Sequence, residues 1–127
     1  MLKDINELEL DSYKKNIVHR TRLCFSLSGV EVPVLTITNR SQDQTKKYCI
    51  LISGRIHPGE TNGSFVMLSL LKYLTSPAAE ELRDHVIFKV VPMLNPDGVL
   101  LGNHRTGASG KDLNREFTST NKIIFPE

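Results

Sequence analysis

The sequence predicts an α/β domain built on a mixed β-sheet of about four strands with flanking helices. Three observations carry this. Two continuous apolar runs, Tyr48 to Ser53 and Val86 to Val91, read as strands covered on both faces. A helical repeat of apolar residues lies between them. Two short strand runs separated by a turn come before both. The resulting order of hairpin, strand, helix and strand places the chain in the mixed-sheet α/β class.

The elements follow in order. Met1 to Lys15 reads as a short, weakly amphipathic helix using Leu2, Ile5 and Leu8. Leu23 to Leu27 and Val32 to Thr38 form a hairpin around Ser28-Gly29-Val30-Glu31. Asn39 to Lys47 is polar and charged, as a surface loop is. After the first apolar strand, Phe65, Leu68 and Leu71, with Met67, Leu70 and Leu74 beside them, give helical periodicity from Asn62. Ser76-Pro77 ends that helix, because proline cannot continue it. Ala78 to His85 is a second, shorter helix before the last strand. Pro92 to Gly110, rich in Pro, Gly and Asn, is too long for a simple connector, and long loops in compact domains are often functional.

The chain has 127 residues, 39% of them hydrophobic and 24% charged, which fits one ordinary globular domain. A net charge of +2 gives no case for nucleic acid. No apolar run approaches the roughly 20 residues that span a bilayer, so no membrane role is expected. The first ten residues lack the basic and apolar zones of a signal peptide. Cys24 and Cys49 have neither metal-like nor redox spacing, and both fall in predicted strands. They are expected to be buried free thiols, in keeping with a reducing compartment.

Four short motifs lie within sixty residues: His57-Pro58-Gly59-Glu60, Asn95-Pro96-Asp97-Gly98, Gly102-Asn103-His104-Arg105 and Asp112-Leu113-Asn114-Arg115. A His and a Glu three apart, between a strand and a helix, can bring an imidazole nitrogen and a carboxylate to one metal ion at the carboxyl end of a strand. Each motif has a plain reading too. The first also describes a surface His near a helix-capping Glu. The second is a turn signal. The last fits a helix start with Asp at the N-cap.

Taken together and in this order, the motifs resemble those of the zinc carboxypeptidases. The fuller strings Gly54 to Asn62 (GRIHPGETN) and Val91 to Val99 (VPMLNPDGV) are similar to the cytosolic carboxypeptidase branch, which includes enzymes that trim glutamates from tubulin tails. The resemblance runs from about Leu23 to Arg115. It implies the amino-terminal portion of the zinc-carboxypeptidase fold, with Zn2+ as cofactor and His57 and Glu60 as two of its ligands. It implies that Asn114 and Arg115 grip the free carboxylate of a peptide or protein C-terminus, and a guanidinium suits that task through paired hydrogen bonds. Arg105 would stabilise the developing oxyanion. Asn95, Asp97 and Gly98 are expected to shape their loop. Asp112 would orient the Asn-Arg pair by capping, or support the metal site from behind. His104 is read as structural. The implied setting is the cytoplasm, at the cytoskeleton or cilium, with tubulin tails among the targets.

The family pattern also calls for a third ligand, a His well downstream of the DLNR motif, and a Glu beyond it as general base and acid. Neither role can be given to any residue from Glu116 to Glu127. Residues 1–127 are therefore expected to form one incomplete catalytic domain, inactive alone. Two rivals stand beside this reading. One is a non-catalytic module that recognises acidic C-terminal tails through Arg105, Asn114 and Arg115. The other is a zinc acyl-amino-acid hydrolase of the aspartoacylase type, whose ligand turn usually reads HGNE where this chain has HPGE.

Overall fold

The structure, a computed structural model, describes residues 6–7, 11, 13–118, 121 and 123–126. The helix expected over the first fifteen residues lies largely outside the described residues. The elements are β1 (Val18–Phe25), β2 (Glu31–Ile37), β3 (Tyr48–Ser53), α1 (Thr61–Leu74), α2 (Glu80–His85), β4 (Val86–Val91) and α3 (Pro96–Leu100), with short 3₁₀ turns between several of them. The four strands form one sheet in the order β1-β2-β4-β3. β1 and β2 pair antiparallel, as do β2 and β4, whereas β3 and β4 run parallel. The predicted mixed sheet is therefore present, and a helical crossover joins its parallel pair, as parallel pairing requires.

The core forms where α1 lies on one face of the sheet. Leu35 and Ile37 of β2 and Phe88 and Val90 of β4 meet Met67, Leu71 and Leu74 of α1, with Ile17 and Val18 closing one end. Burying a side chain of this size stabilises by about 1.5–3 kcal/mol, so these three helix residues anchor α1. The buried stripe is narrower than the apolar pattern predicts. Phe65 points to solvent and is 71% exposed.

Four expectations need correction. β3 is not covered on both faces: Tyr48 and Leu51 are 79% and 72% exposed, and the strand pairs only with β4. Cys49, on β3, is exposed for the same reason, and Cys24 is half-buried; neither is in a disulfide. β1 begins five residues earlier than predicted, at Val18, because its first half is polar and half-exposed and carries no apolar run. It also carries a register shift between Arg22 and Cys24. The NPDG segment is not a turn but the start of α3: Asn95 caps it by accepting from Gly98 N, and Pro96 stands at its first turn, a position proline favours.

Two cations, Arg83 buried and Lys47 half-buried, tie the connections together. The Arg83 side chain is fully buried. Its Nη1 donates to Leu74 O and Ser76 O, both at 2.7 Å, its Nε to Asn39 Oδ1 at 3.0 Å and its Nη2 to the Tyr13 hydroxyl at 3.1 Å. It thereby caps the carboxyl end of α1, where the helix dipole favours a cation. Lys47 Nζ does the same for α2, donating to Arg83 O at 2.7 Å, and also to Thr38 Oγ1 and Asn39 O.

Burial lowers the Lys47 pKa from its ordinary value of 10.5, and the Asp84 carboxylate only partly opposes this. Between that lowered value and 10.5 the unfolded chain holds a proton that the folded chain has released. The Lys47 contribution to stability should therefore rise with pH across this window. A carbon-13 titration of the Lys47 ε-methylene is expected to give a midpoint below 10.5.

The site is positioned by the parallel pair. Ser53 and Val91 lie side by side at the carboxyl ends of β3 and β4. The segments that follow stay zipped together through Gly54 N to Val91 O, Leu94 N to Gly54 O and Asn95 N to Arg55 O, at 3.0, 2.8 and 3.3 Å. The segments that carry the His57–Glu60 and Asn95–Gly98 motifs both leave the sheet from this one corner, the usual location of chemistry in open α/β sheets.

Candidate metal centre

His57 lies in the turn between β3 and α1 and is buried, while Glu60 is exposed. His57 Nδ1 and Glu60 Oε1 are 3.0 Å apart. The other ring nitrogen, Nε2, is 3.1 Å from Asp112 Oδ1. A carboxylate only accepts, so a neutral ring can donate to only one of the two; with its proton on Nε2 it donates to Asp112. A neutral ring then turns its Nδ1 lone pair toward Glu60 Oε1, another acceptor. Two acceptors meeting at this distance need a cation between them, either a second ring proton or a metal ion. The donors suit zinc, which takes imidazole nitrogen and carboxylate oxygen at roughly 2.0–2.2 Å. Among the described residues, no group of three or more His, Cys, Asp and Glu side chains is placed to hold a metal.

Asp112 is the hub. It accepts from His57, from Arg105 Nε at 2.7 Å and from the Asn114 amide at 3.0 Å, which starts the 3₁₀ turn Leu113–Arg115. Partial burial pushes its pKa up, but the hydrogen bonds from Arg105, the Asn114 amide and His57 outweigh it and hold the carboxyl below 3.8. The capping foreseen for Asp112 is present, and the same carboxylate lies against the His57 ring. Arg105 engages Asp112 through Nε alone, so its terminal nitrogens are not spent on this pair. Arg115 is exposed, and among the described residues its side chain hydrogen-bonds the carbonyl of Asn114. The structure thus brings His57, Glu60, Asp112, Arg105 and the Asn114 backbone together, and leaves the Arg115 side chain apart from them.

The frame around His57 is built from the NPDG and GNHR segments. Asn95 is fully buried, and its Nδ2 donates to Ile56 O at 3.0 Å. Asp97, also buried, accepts from Ser26 Oγ at 2.5 Å and Ser28 N at 2.9 Å, tying α3 to the β1–β2 turn. Gly59 N donates to His104 O at 2.8 Å. A Cβ on Gly59 would meet that carbonyl oxygen at 2.8 Å, and one on Gly98 would meet Pro58 Cγ at 2.4 Å. Both glycines are needed for this close approach of backbone segments. His104 acts through its carbonyl, in agreement with a structural role.

Sequence reasoning passed over Arg55. It is the only described non-glycine residue with positive φ, at 55°, a conformation that costs an L-residue roughly 1–2 kcal/mol. Nothing in the sequence marks it, since arginine is not a residue that signals such a turn. An open depression of about 340 Å³, bordered by Tyr13, Asn39 and Glu80 among others, holds none of these residues.

With this geometry in place, comparison with known proteins is decisive. The family profile described as zinc carboxypeptidase matches residues 7–124. The chain belongs to the zinc carboxypeptidase family. It is 52% identical over 109 residues to "Cytosolic carboxypeptidase 2" of Xenopus tropicalis, a match covering 82% of this chain and 11% of that protein. It is 50% identical over 115 residues to "Cytosolic carboxypeptidase 1" of Mus musculus, covering 82% of this chain and 9% of that protein. Among solved structures, a metallo-carboxypeptidase from Burkholderia cenocepacia superposes with a TM-score of 0.87 at 29% identity, covering 98% of this chain and 34% of that one. The chain therefore spans about a tenth of the curated relatives it matches and about a third of that solved chain. The zinc-carboxypeptidase fold expected from the motifs is the fold observed.

Proposed function

We propose that residues 1–127 form the amino-terminal part of a metallocarboxypeptidase catalytic domain, in which His57 and Glu60 supply two of the protein ligands to Zn2+. The carrying observation is the His57 ring, with Asp112 on Nε2 and Glu60 across from Nδ1. Bound zinc supplies Lewis acidity toward the scissile carbonyl and lowers the pKa of a coordinated water. Asp112 holds the ring in the tautomer and orientation that a ligand needs. Arg105, anchored through Nε, offers its terminal N–H groups to the oxyanion that develops on the carbonyl oxygen. Arg115, exposed and without an acidic partner among the described residues, receives the terminal carboxylate of the substrate together with Asn114.

In this reading the third ligand and the general base come from residues outside 1–127. The substrate is a peptide or protein C-terminus, and glutamate on an acidic tail such as that of tubulin is the preferred case. A cytoplasmic setting is supported by the names of the relatives.

The reading makes a paired expectation. With zinc present, the 127-residue chain releases no glutamate from a glutamate-ended peptide. A chain extended through the residues that follow Glu127 in its transcript releases it. Efficient release by the 127-residue chain, or release by the extended chain that survives His57→Ala, contradicts the proposal. Peptide binding that depends on Arg115, without turnover by either chain, would instead favour a tail-binding module.

A further inference from the structure

We infer that Arg55 is a positioning residue for the metal site: a side-chain latch that holds the His57–Glu60 turn in its ligand-bearing shape. This inference rests on the reading of His57 and Glu60 as zinc ligands and adds a residue to it. Arg55 stands two positions before His57 with φ at 55°. Residues other than glycine hold that conformation when their surroundings enforce it, and such residues gather at functional sites. The enforcing contacts are visible. Arg55 Nε donates to Pro58 O at 2.8 Å, and Nη1 donates to Ser64 Oγ in the first turn of α1. The Arg55 carbonyl meanwhile accepts from Asn95 N.

The guanidinium therefore bridges the inside of the turn to the helix that follows it. Pro58 and Ser64 bracket Glu60, so the latch spans the stretch that sets the spacing of Nδ1 and Oε1. A planar guanidinium can serve two acceptors from one rigid group, whereas an ammonium is a single point donor. Glycine at this position would relieve the backbone cost but leave the turn untied.

The test is a zinc titration of the 127-residue chain and four variants, His57→Ala, Arg55→Gly, Ser64→Ala and the double variant Arg55→Gly with Ser64→Ala. The Kd for Zn2+ and the amide exchange of Leu35 and Val90 are read on each. Glycine accepts the Arg55 backbone conformation, so Arg55→Gly is expected to fold with core exchange unchanged and to bind zinc about tenfold more weakly. Ser64→Ala alone should weaken binding by a smaller factor, and adding it to Arg55→Gly should cost nothing further, because both remove one contact. Zinc affinity of Arg55→Gly within twofold of the parent overturns the latch while leaving the ligand assignment standing. Weaker binding accompanied by faster core exchange also overturns it, since the effect would then be general destabilisation. Zinc binding that His57→Ala leaves unchanged removes the ligand assignment, and the latch with it.

Discussion

Arg83→Met is expected to destabilise the fold by about 3 kcal/mol and to lower the melting temperature by about 10 °C. Methionine matches the length of the apolar stem but donates to nothing. Arg83 sits at zero exposure and donates to Leu74 O, Ser76 O, Asn39 Oδ1 and the Tyr13 hydroxyl. Each buried acceptor left unsatisfied costs roughly 1–3 kcal/mol, and the helix end loses its cation as well. Typical domains have only about 5–15 kcal/mol in hand, so the loss should be plain in a thermal or urea melt. Arg83→Lys keeps the charge but cannot reach all four acceptors, and should fall between. A melt of Arg83→Met indistinguishable from that of the parent would show that these bonds do not hold the α1 and α2 ends together.

Asp112→Asn is expected to weaken zinc binding by about tenfold or more while leaving the fold intact. Asparagine keeps the size of the side chain and can still accept from the Asn114 amide, so the 3₁₀ turn retains its cap. What disappears is the negative charge that fixes the proton on His57 Nε2 and anchors Arg105 Nε. Both partners are affected by one substitution because both reach the same carboxylate. A calorimetric zinc titration checks the first effect. Unchanged affinity in Asp112→Asn would mean that the contact orients nothing of consequence.

The parts of the fold that were legible in the sequence are those whose signal is local. β3 and β4 take the bounds predicted from their apolar runs, Tyr48–Ser53 and Val86–Val91. α1 starts within one residue of the predicted position and ends at Leu74, before Pro77. The exposure of β3 was not legible, because an apolar run encodes the cover a strand can use and not the elements that supply it. The start of β1 escaped because Val18 to Arg22 alternates too weakly to read as a strand. Asn95-Pro96-Asp97-Gly98 carries the same residues whether it forms a turn or caps a helix.

The site divides the same way. The nearness of His57 and Glu60 was readable because their spacing is short and falls at the end of a strand. The position of Asp112 against His57, fifty-five residues away in sequence, was visible only as one of two possible roles for a DLNR motif. Arg55 and Arg83 left no trace. Their partners are carbonyl, hydroxyl and amide oxygens brought together by folding, and such acceptors have no signature in a sequence.

The central claim is that His57 and Glu60 bind one zinc ion, with Asp112 behind the ring. The most direct measurement is the nitrogen-15 spectrum of the His57 imidazole during a zinc titration of the chain. The predicted result is a zinc-dependent change at Nδ1, an Nε2 that keeps its proton toward Asp112, and loss of the response in Glu60→Ala. A response at Nε2, or one confined to His19, His85 or His104, would contradict it.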